Sequence, residues 1–182
     1  MMQDLRKLVP WLAGLLTLAL LATMGALPTC GGGRPAPPFE GEIVAGDGIG
    51  DRVSLERLAG RVVLLDFWAS WCPPCRRSIP ILNRVYARYG RDQVLFYGVN
   101  VEGLGADELQ AHHRALGATF PSLQDQSGAL QQEYGVRNLP TLVIIDRNGR
   151  IRHVEAGVPD ETDLSQRIDG LLQVSVSSTD NR

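Results

Sequence analysis

Between residues 61 and 156 the chain alternates short apolar runs with longer stretches of helical periodicity. Residues 61–68 (RVVLLDFW) and 93–101 (QVLFYGVNV) are nearly continuous apolar runs, the pattern of strands covered on both faces. Between them the sequence predicts a helix from about Pro73 to Tyr89, with Ile79, Leu82, Tyr86 and Tyr89 on one stripe. Pro80 falls inside it and is expected to kink it, because a proline cannot donate to the carbonyl of Arg76. Further helices are expected near 106–116 and near 127–134, the second closed by Gly135. Residues 141–146 (TLVIID) and 151–156 (IRHVEA) read as two strands joined by a turn at Arg147-Asn148-Gly149. Asp160 is placed to cap a last helix that carries Leu164, Ile168, Leu171 and Leu172 on one face. This order predicts one α/β domain over 39–173, a central mixed sheet with helices on both faces. Gly46, Gly48 and Gly50 lack the spacing of a phosphate-cradling loop and read as a surface turn.

The ends of the chain follow other patterns. Arg6 and Lys7 precede an uncharged stretch over residues 8–27, so residues 1–30 read as a signal or membrane anchor. Its length lies between that of a cleaved signal, about 7–15 apolar residues, and the roughly 20 needed to span a bilayer. Leu27-Pro28-Thr29-Cys30 resembles a bacterial lipoprotein signal in which Cys30 becomes the lipidated first residue, though Pro28 and Thr29 depart from the usual pattern. Lipidation at Cys30, an uncleaved transmembrane helix, and cleavage with release all stay open. Residues 31–38 (GGGRPAPP) are expected to be a flexible tether, and residues 174–182 a disordered tail.

A formal net charge of -2 argues against a nucleic-acid partner, which would demand a basic stripe. Of the 18 lysines and arginines only Lys7 is a lysine, and the arginines are scattered among acids, which indicates coding bias rather than phosphate recognition.

The chemistry lies in Trp71-Cys72-Pro73-Pro74-Cys75, between a buried strand and a helix. Two cysteines three apart at a helix start can close a small disulfide ring. When reduced, the first sulfur faces the free N–H groups and positive end of the helix, which favour a thiolate. Such sites lower a cysteine pKa from about 8.5 into the range of roughly 3.5–7.5. Cys72 is then the attacking sulfur and Cys75 the resolving one. Half of a zinc site is the rival reading, but tetrahedral zinc requires four ligands, and His112, His113 and His153 have no ligand spacing to a second cysteine pair. A purely structural disulfide is the other rival, although so tight a ring constrains little of the unfolded chain. No metal or cofactor is expected. The histidines read as surface residues, with His113 packing beside Leu109 and Leu116.

Residues 62–75 (VVLLDFWASWCPPC) closely resemble thioredoxin-like proteins. The stretches 98–102 (GVNVE), 119–121 (TFP), 134–141 (YGVRNLPT) and 144–149 (IIDRNG) are similar to the extracytoplasmic branch typified by TlpA, ResA and the cytochrome c maturation thioredoxins. The resemblance implies a thioredoxin fold with an N-terminal extension and an inserted helical segment. It also implies that Pro140 is a cis-proline facing the active site. There it would leave the backbone around Leu139 open to a substrate strand, with Trp71, Pro73 and Pro74 completing the contact surface. Asp66 stands where thioredoxin has a buried aspartate, and a desolvated carboxyl there suits proton exchange with Cys75. A solvated strand-edge aspartate is the plainer alternative. ResA-like relatives often carry a glutamate three residues after the second cysteine, where this chain has Ser78.

The activity implied is that of a membrane-tethered protein thiol–disulfide oxidoreductase facing the periplasm or cell exterior. It would draw electrons from a membrane thiol carrier and reduce exported proteins such as apocytochrome c. The reductive direction comes from the resemblance, and a dithiol oxidase is its variant. A thiol peroxidase would need a threonine where Ala69 stands, three residues before Cys72, and a copper chaperone would need wider cysteine spacing.

Overall fold

The computed structural model describes residues 32–173, so the anchor expected over 1–30, Cys30 and the tail over 174–182 lie outside the described residues. Eight strands form one sheet: β1 (Arg34–Pro35), β2 (Glu40–Ala45), β3 (Arg52–Ser54), β4 (Val62–Trp68), β5 (Val94–Asn100), β6 (Ser122–Gln124), β7 (Thr141–Ile145) and β8 (Arg150–Ala156). Their order is β1-β8-β7-β4-β5-β6-β2-β3. β4 runs parallel to β5, and β5 to β6, while β7 is antiparallel to both β4 and β8. The mixed sheet is that of a thioredoxin-like α/β fold.

Every residue of β4 is buried because it has a strand on each side and a covered face above and below. Strand alternation divides it cleanly. Val62 and Leu64 face α1 (Pro73–Gln93) and α4 (Glu161–Gln173), packing with Ile79, Leu82, Val85, Leu164 and Ile168. Val63, Leu65 and Phe67 face the other way, into a core closed by Phe39, Val53, Leu58, Tyr134 and Val136. That second face carries less helix than expected: a 3-10 turn at Glu56–Leu58 and the short α3 (Ala129–Glu133) share it with N-terminal strands. Helix α2 (Ala106–Ala115) and β6 form the inserted segment between β5 and α3.

The helix expected over 73–89 is longer, and it runs through Pro80 without a break; Pro80 is exposed, where water can meet the Arg76 carbonyl it leaves unpaired. Asp160 caps α4 as expected, its Oδ1 accepting the Asp163 N–H at 2.9 Å. The turn between β7 and β8 closes through Gly149 N–H to the Asp146 carbonyl at 2.9 Å. Gly46, Gly48 and Gly50 do form a surface turn, each with φ between 80° and 91°.

Two expectations are corrected. Strands β2, β3 and β6 were not foreseen, because EGEIVA, RVS and SLQ are short or glycine-diluted and register as strands only through their partners. The described part of the tether is bound to the domain rather than free. Arg34 and Pro35 pair with Ile151 and Arg150 of β8, and the Ala36 N–H donates to the Gly149 carbonyl at 2.9 Å. The Tyr134 hydroxyl donates to the Pro37 carbonyl at 2.8 Å, and Arg34 reaches the Tyr134 carbonyl at 3.1 Å. An edge strand offered unpaired backbone groups, and a proline-stiffened segment supplied partners at small entropic cost.

Candidate active site

β4 ends at Trp68, and a four-residue loop delivers the chain to the first turn of α1. Cys72 is the N-cap of that helix, with φ -88° and ψ 105°. Its backbone is therefore extended while its side chain turns back over the helix end. Cys72 and Cys75 are joined by a disulfide. The Cys72 Sγ also accepts the Cys75 N–H at 3.2 Å.

The two prolines sharpen this geometry. Pro73 and Pro74 fill the first two helical positions and have no N–H, so the Cys75 amide is the first donor the helix offers. The expectation of several free N–H groups facing the sulfur is thus narrowed to one, supported by the helix dipole. Cys75 is 0% exposed and Cys72 nearly as deep, both packed with Ala45, Trp68, Ala69 and Leu109. Ser78, one turn on, is buried and spends its hydroxyl on the Cys75 carbonyl at 2.9 Å. Trp71 stands outside this shell at 67% exposure, the most exposed large apolar side chain among the described residues.

Leu139–Pro140 is a cis peptide, and Pro140 is buried. Leu139 packs against the cluster that holds both cysteines. Thr141 fastens the 138–141 turn, donating its hydroxyl to the Asn138 carbonyl at 2.7 Å, and Gly157 N–H donates to the Pro140 carbonyl at 2.8 Å.

Asp66 is 3% exposed and sits in the middle of the sheet, paired with Gly98 on one side and Leu142 on the other. The solvated strand-edge alternative is excluded. Alternation along β4 puts its side chain between Leu64 and Trp68 on the face covered by α1, the side of Cys75. Burial pushes its carboxyl up from 3.8 to about 8, and Oδ2 has no hydrogen-bond partner among the described residues. The neighbouring glycine is required. A Cβ on Gly98 would lie 2.4 Å from Ser122 Oγ and 2.9 Å from Trp68 Nε1.

One group of polar residues escaped sequence reasoning. Glu102, just beyond β5, accepts from the Ser70 N–H at 2.5 Å, the Ser70 hydroxyl at 2.8 Å and the Asn100 amide at 2.9 Å. The only hint in the sequence was an acid two residues past a buried Asn100, inside the GVNVE stretch. Burial opposes ionisation of Glu102, but the Ser70 N–H, the Asn100 amide, the Ser70 hydroxyl and nearby His112 together hold its pKa below the ordinary value. His113, expected to pack on its helix, is buried with Nε2 2.9 Å from the Phe120 carbonyl. Its ring lies tilted at 55° beside Trp68, with the centroids 6.4 Å apart, and burial lowers its pKa.

A profile of the AhpC/TSA family matches residues 33–154. The thiol-disulfide oxidoreductase ResA of Geobacillus thermodenitrificans (strain NG80-2) is 33% identical over 141 residues, spanning 76% of this chain and 77% of that relative. The thioredoxin-like protein YneN of Bacillus subtilis (strain 168) is 31% identical over 170 residues, 87% of this chain and 96% of its own. Among solved structures, a DsbE-type thiol:disulfide interchange protein from Chlorobium tepidum superposes with a TM-score of 0.67 at 34% identity, covering 77% of this chain and 96% of that one. The pneumococcal exposed lipoprotein thioredoxin Etrx1 from Streptococcus pneumoniae strain TIGR4 gives 0.65 at 29% identity, covering 74% and 100%.

Proposed function

The chain belongs to the AhpC/TSA family and is a protein thiol–disulfide oxidoreductase of the ResA and DsbE type; from that premise we propose that Cys72 and Cys75 reduce disulfides of exported proteins outside the cytoplasm. The observation that carries this reading is the Cys72 sulfur seated on the Cys75 N–H at the start of α1, with its partner sulfur buried behind it.

In the reduced enzyme the Cys72 thiolate attacks one sulfur of the substrate disulfide and the other substrate sulfur leaves as thiolate. The Cys75 thiol then loses its proton and attacks Cys72 Sγ. This expels the second substrate thiolate and closes the Cys72–Cys75 disulfide, so two electrons have passed to the substrate. Asp66 handles the proton. In the disulfide form it is neutral at pH 7, and it donates to the Cys75 sulfur as a donor thiol attacks Cys72 and opens the ring. In the next half-cycle the emptied carboxylate takes the Cys75 proton back.

The reducing direction is favoured by Pro73 and Pro74. An oxidant of this fold is strong because its reduced form, the thiolate, is highly stabilised. Here two of the three amides nearest the sulfur are absent, which limits that stabilisation. The exposed Trp71 and the cis turn at Leu139–Pro140 supply a face on which a substrate strand can lie, with Pro73 exposed and Pro74 half-buried beside it. Apocytochrome c and a membrane thiol carrier are the substrate and donor that fit this reading. The apolar stretch over 8–27, with or without acylation of Cys30, would hold the domain at the membrane. Among the described residues no helix is long and apolar enough to cross a bilayer. A peroxidase reading lacks support, since Ala69 offers no hydroxyl three residues before Cys72.

The test is trapping. Cys75→Ser, expressed at full length, should accumulate mixed disulfides with exported proteins that dissolve on adding dithiothreitol. If Cys75→Ser captures nothing and Cys72→Ser keeps wild-type insulin-reducing activity, the proposal fails.

A further inference from the structure

In the loop that carries the redox pair into α1, Ala69 and Cys72 are buried but the two residues between them have little apolar holding. Ser70 is half-buried and Trp71 is exposed, so neither can fix the path of the backbone by packing alone. The parallel ladder of β4 and β5 ends at Trp68 opposite Asn100, and one further bond, Val101 N–H to the Trp68 carbonyl at 3.2 Å, follows it. Beyond that point Cys72 N–H donates to the Ala69 carbonyl at 3.3 Å.

Ser70 is nonetheless held through all three of its polar groups. Its N–H and hydroxyl both donate to the Glu102 carboxylate, and its carbonyl accepts from the Arg76 guanidinium at 3.1 Å. Glu102 is itself oriented. The fully buried Asn100 donates to Oε2 at 2.9 Å and accepts the Glu102 N–H at 3.1 Å. The two carboxylate oxygens thus take three donors, and the bonds are charge-assisted, which makes them shorter and stronger than neutral ones.

We propose that Glu102 is a positioning residue for the redox pair, fixing Ser70 so that the Cys72 sulfur stays on the Cys75 N–H after the disulfide opens. In the oxidised state the covalent bond itself holds that sulfur. Once reduced, Cys72 can turn about its own Cα–Cβ bond and the loop behind it can relax. Only a fastened approach keeps the single available amide on the thiolate. The need is greater here than in a helix start without prolines, because Pro73 and Pro74 leave no second amide to take over. The inference rests on Cys72 being the nucleophile.

Two physical effects of Glu102 have opposite signs, which makes the idea testable. A carboxylate acting only through space opposes the thiolate, so its removal would lower the Cys72 pKa. A carboxylate acting by position supports the thiolate, so its removal would raise it. The other ionisable groups around the site stay constant in the comparison: Arg76 on α1, Asp66 on β4, and His112 and His113 on α2.

The experiment measures iodoacetamide alkylation of Cys72 in the reduced full-length protein against pH, for wild type, Glu102→Ala and Glu102→Gln, each in the Cys75→Ser background. Glu102→Ala should raise the midpoint by about one pH unit and slow the reaction on the order of tenfold at pH values below both midpoints, the effect of losing one hydrogen bond to the sulfur. Glu102→Gln keeps an acceptor for the Ser70 N–H without the charge, so it should fall between wild type and alanine. A midpoint that falls in both variants means repulsion through space and overturns the proposal, as does a midpoint unchanged in both. If Glu102→Ala does not fold, the glutamine variant and Ser70→Ala, which removes one of the three donors, decide on the same criterion. A wild-type midpoint near 8.5 would instead fault the nucleophile assignment beneath it.

Discussion

Replacing Asp66 with asparagine should make the oxidised protein more stable, and more so the higher the pH. The carboxyl is almost fully buried in the centre of the sheet, and its pKa rises from 3.8 to about 8 through loss of hydration. The folded state therefore keeps a proton that the unfolded chain releases from about pH 4 upward. Because the folded form binds more protons over this window, stability falls as pH rises, by about 1.4 kcal/mol per unit. Between the two pKa values, at pH 7, the accumulated cost is about 4 kcal/mol, and it levels off above the folded pKa. Asparagine has nearly the same shape and no such term. Its amide brings its own burial cost, but that cost does not vary with pH. The assay is urea unfolding of both oxidised proteins at intervals from pH 4 to pH 9. The stability difference, variant minus wild type, should climb across pH 4–8 and then flatten. A difference independent of pH would refute the argument that Asp66 is held neutral. The same substitution should slow reopening of the disulfide by a donor thiol, since the proton for Cys75 would be gone.

Further outcomes follow from the same packing. Gly98→Ala inserts a methyl 2.4 Å from Ser122 Oγ and 2.9 Å from Trp68 Nε1, and overpacking of this kind costs about 1–3 kcal/mol, so its melting temperature should fall clearly; an unchanged value would contradict the crowding. Tyr134→Phe keeps the ring beside Phe67 but loses the bond to the Pro37 carbonyl, so amide exchange over 33–38 should quicken while exchange in β4 stays slow. Equal exchange in the two proteins would show that this bond does not hold the segment.

Much of the fold was legible because the central elements carry their own signals. β4 is apolar at both parities since both of its faces are covered, and α1, the β7–β8 turn and the Asp160 cap each follow local rules of periodicity, turn chemistry and capping. The outer strands lacked such signals. Glu40–Ala45 opens on Glu-Gly-Glu and has only a three-residue apolar run at its end, and becomes a strand when β3 and β6 supply partners on either side. The proline-rich segment before it has the composition of a linker, and nothing local reveals that β8 offers it an edge.

The candidate site divides in the same way. Cys72 and Cys75 could be read from their spacing at a strand–helix junction, because that chemistry is local. The burial of Asp66 follows from the run around it. Glu102 could not be found so, because its role depends on contact with Ser70, 32 residues earlier in the chain. Ser78, noted as the departure from ResA-like relatives, bonds its own helix backbone and so adds no proton donor to the site. That leaves Asp66 as the acid within the buried shell on the α1 face.

At the root of the account is a sulfur made reactive by one backbone amide and a helix end. The most direct measurement is the rate at which Cys72 of the reduced protein is alkylated as pH is varied, with Cys75 replaced by serine. The account predicts half-maximal reactivity well below pH 8, within the range of about 3.5–7.5 found for cysteines at helix N-termini. A titration centred near 8.5, the value of a free cysteine, would contradict it.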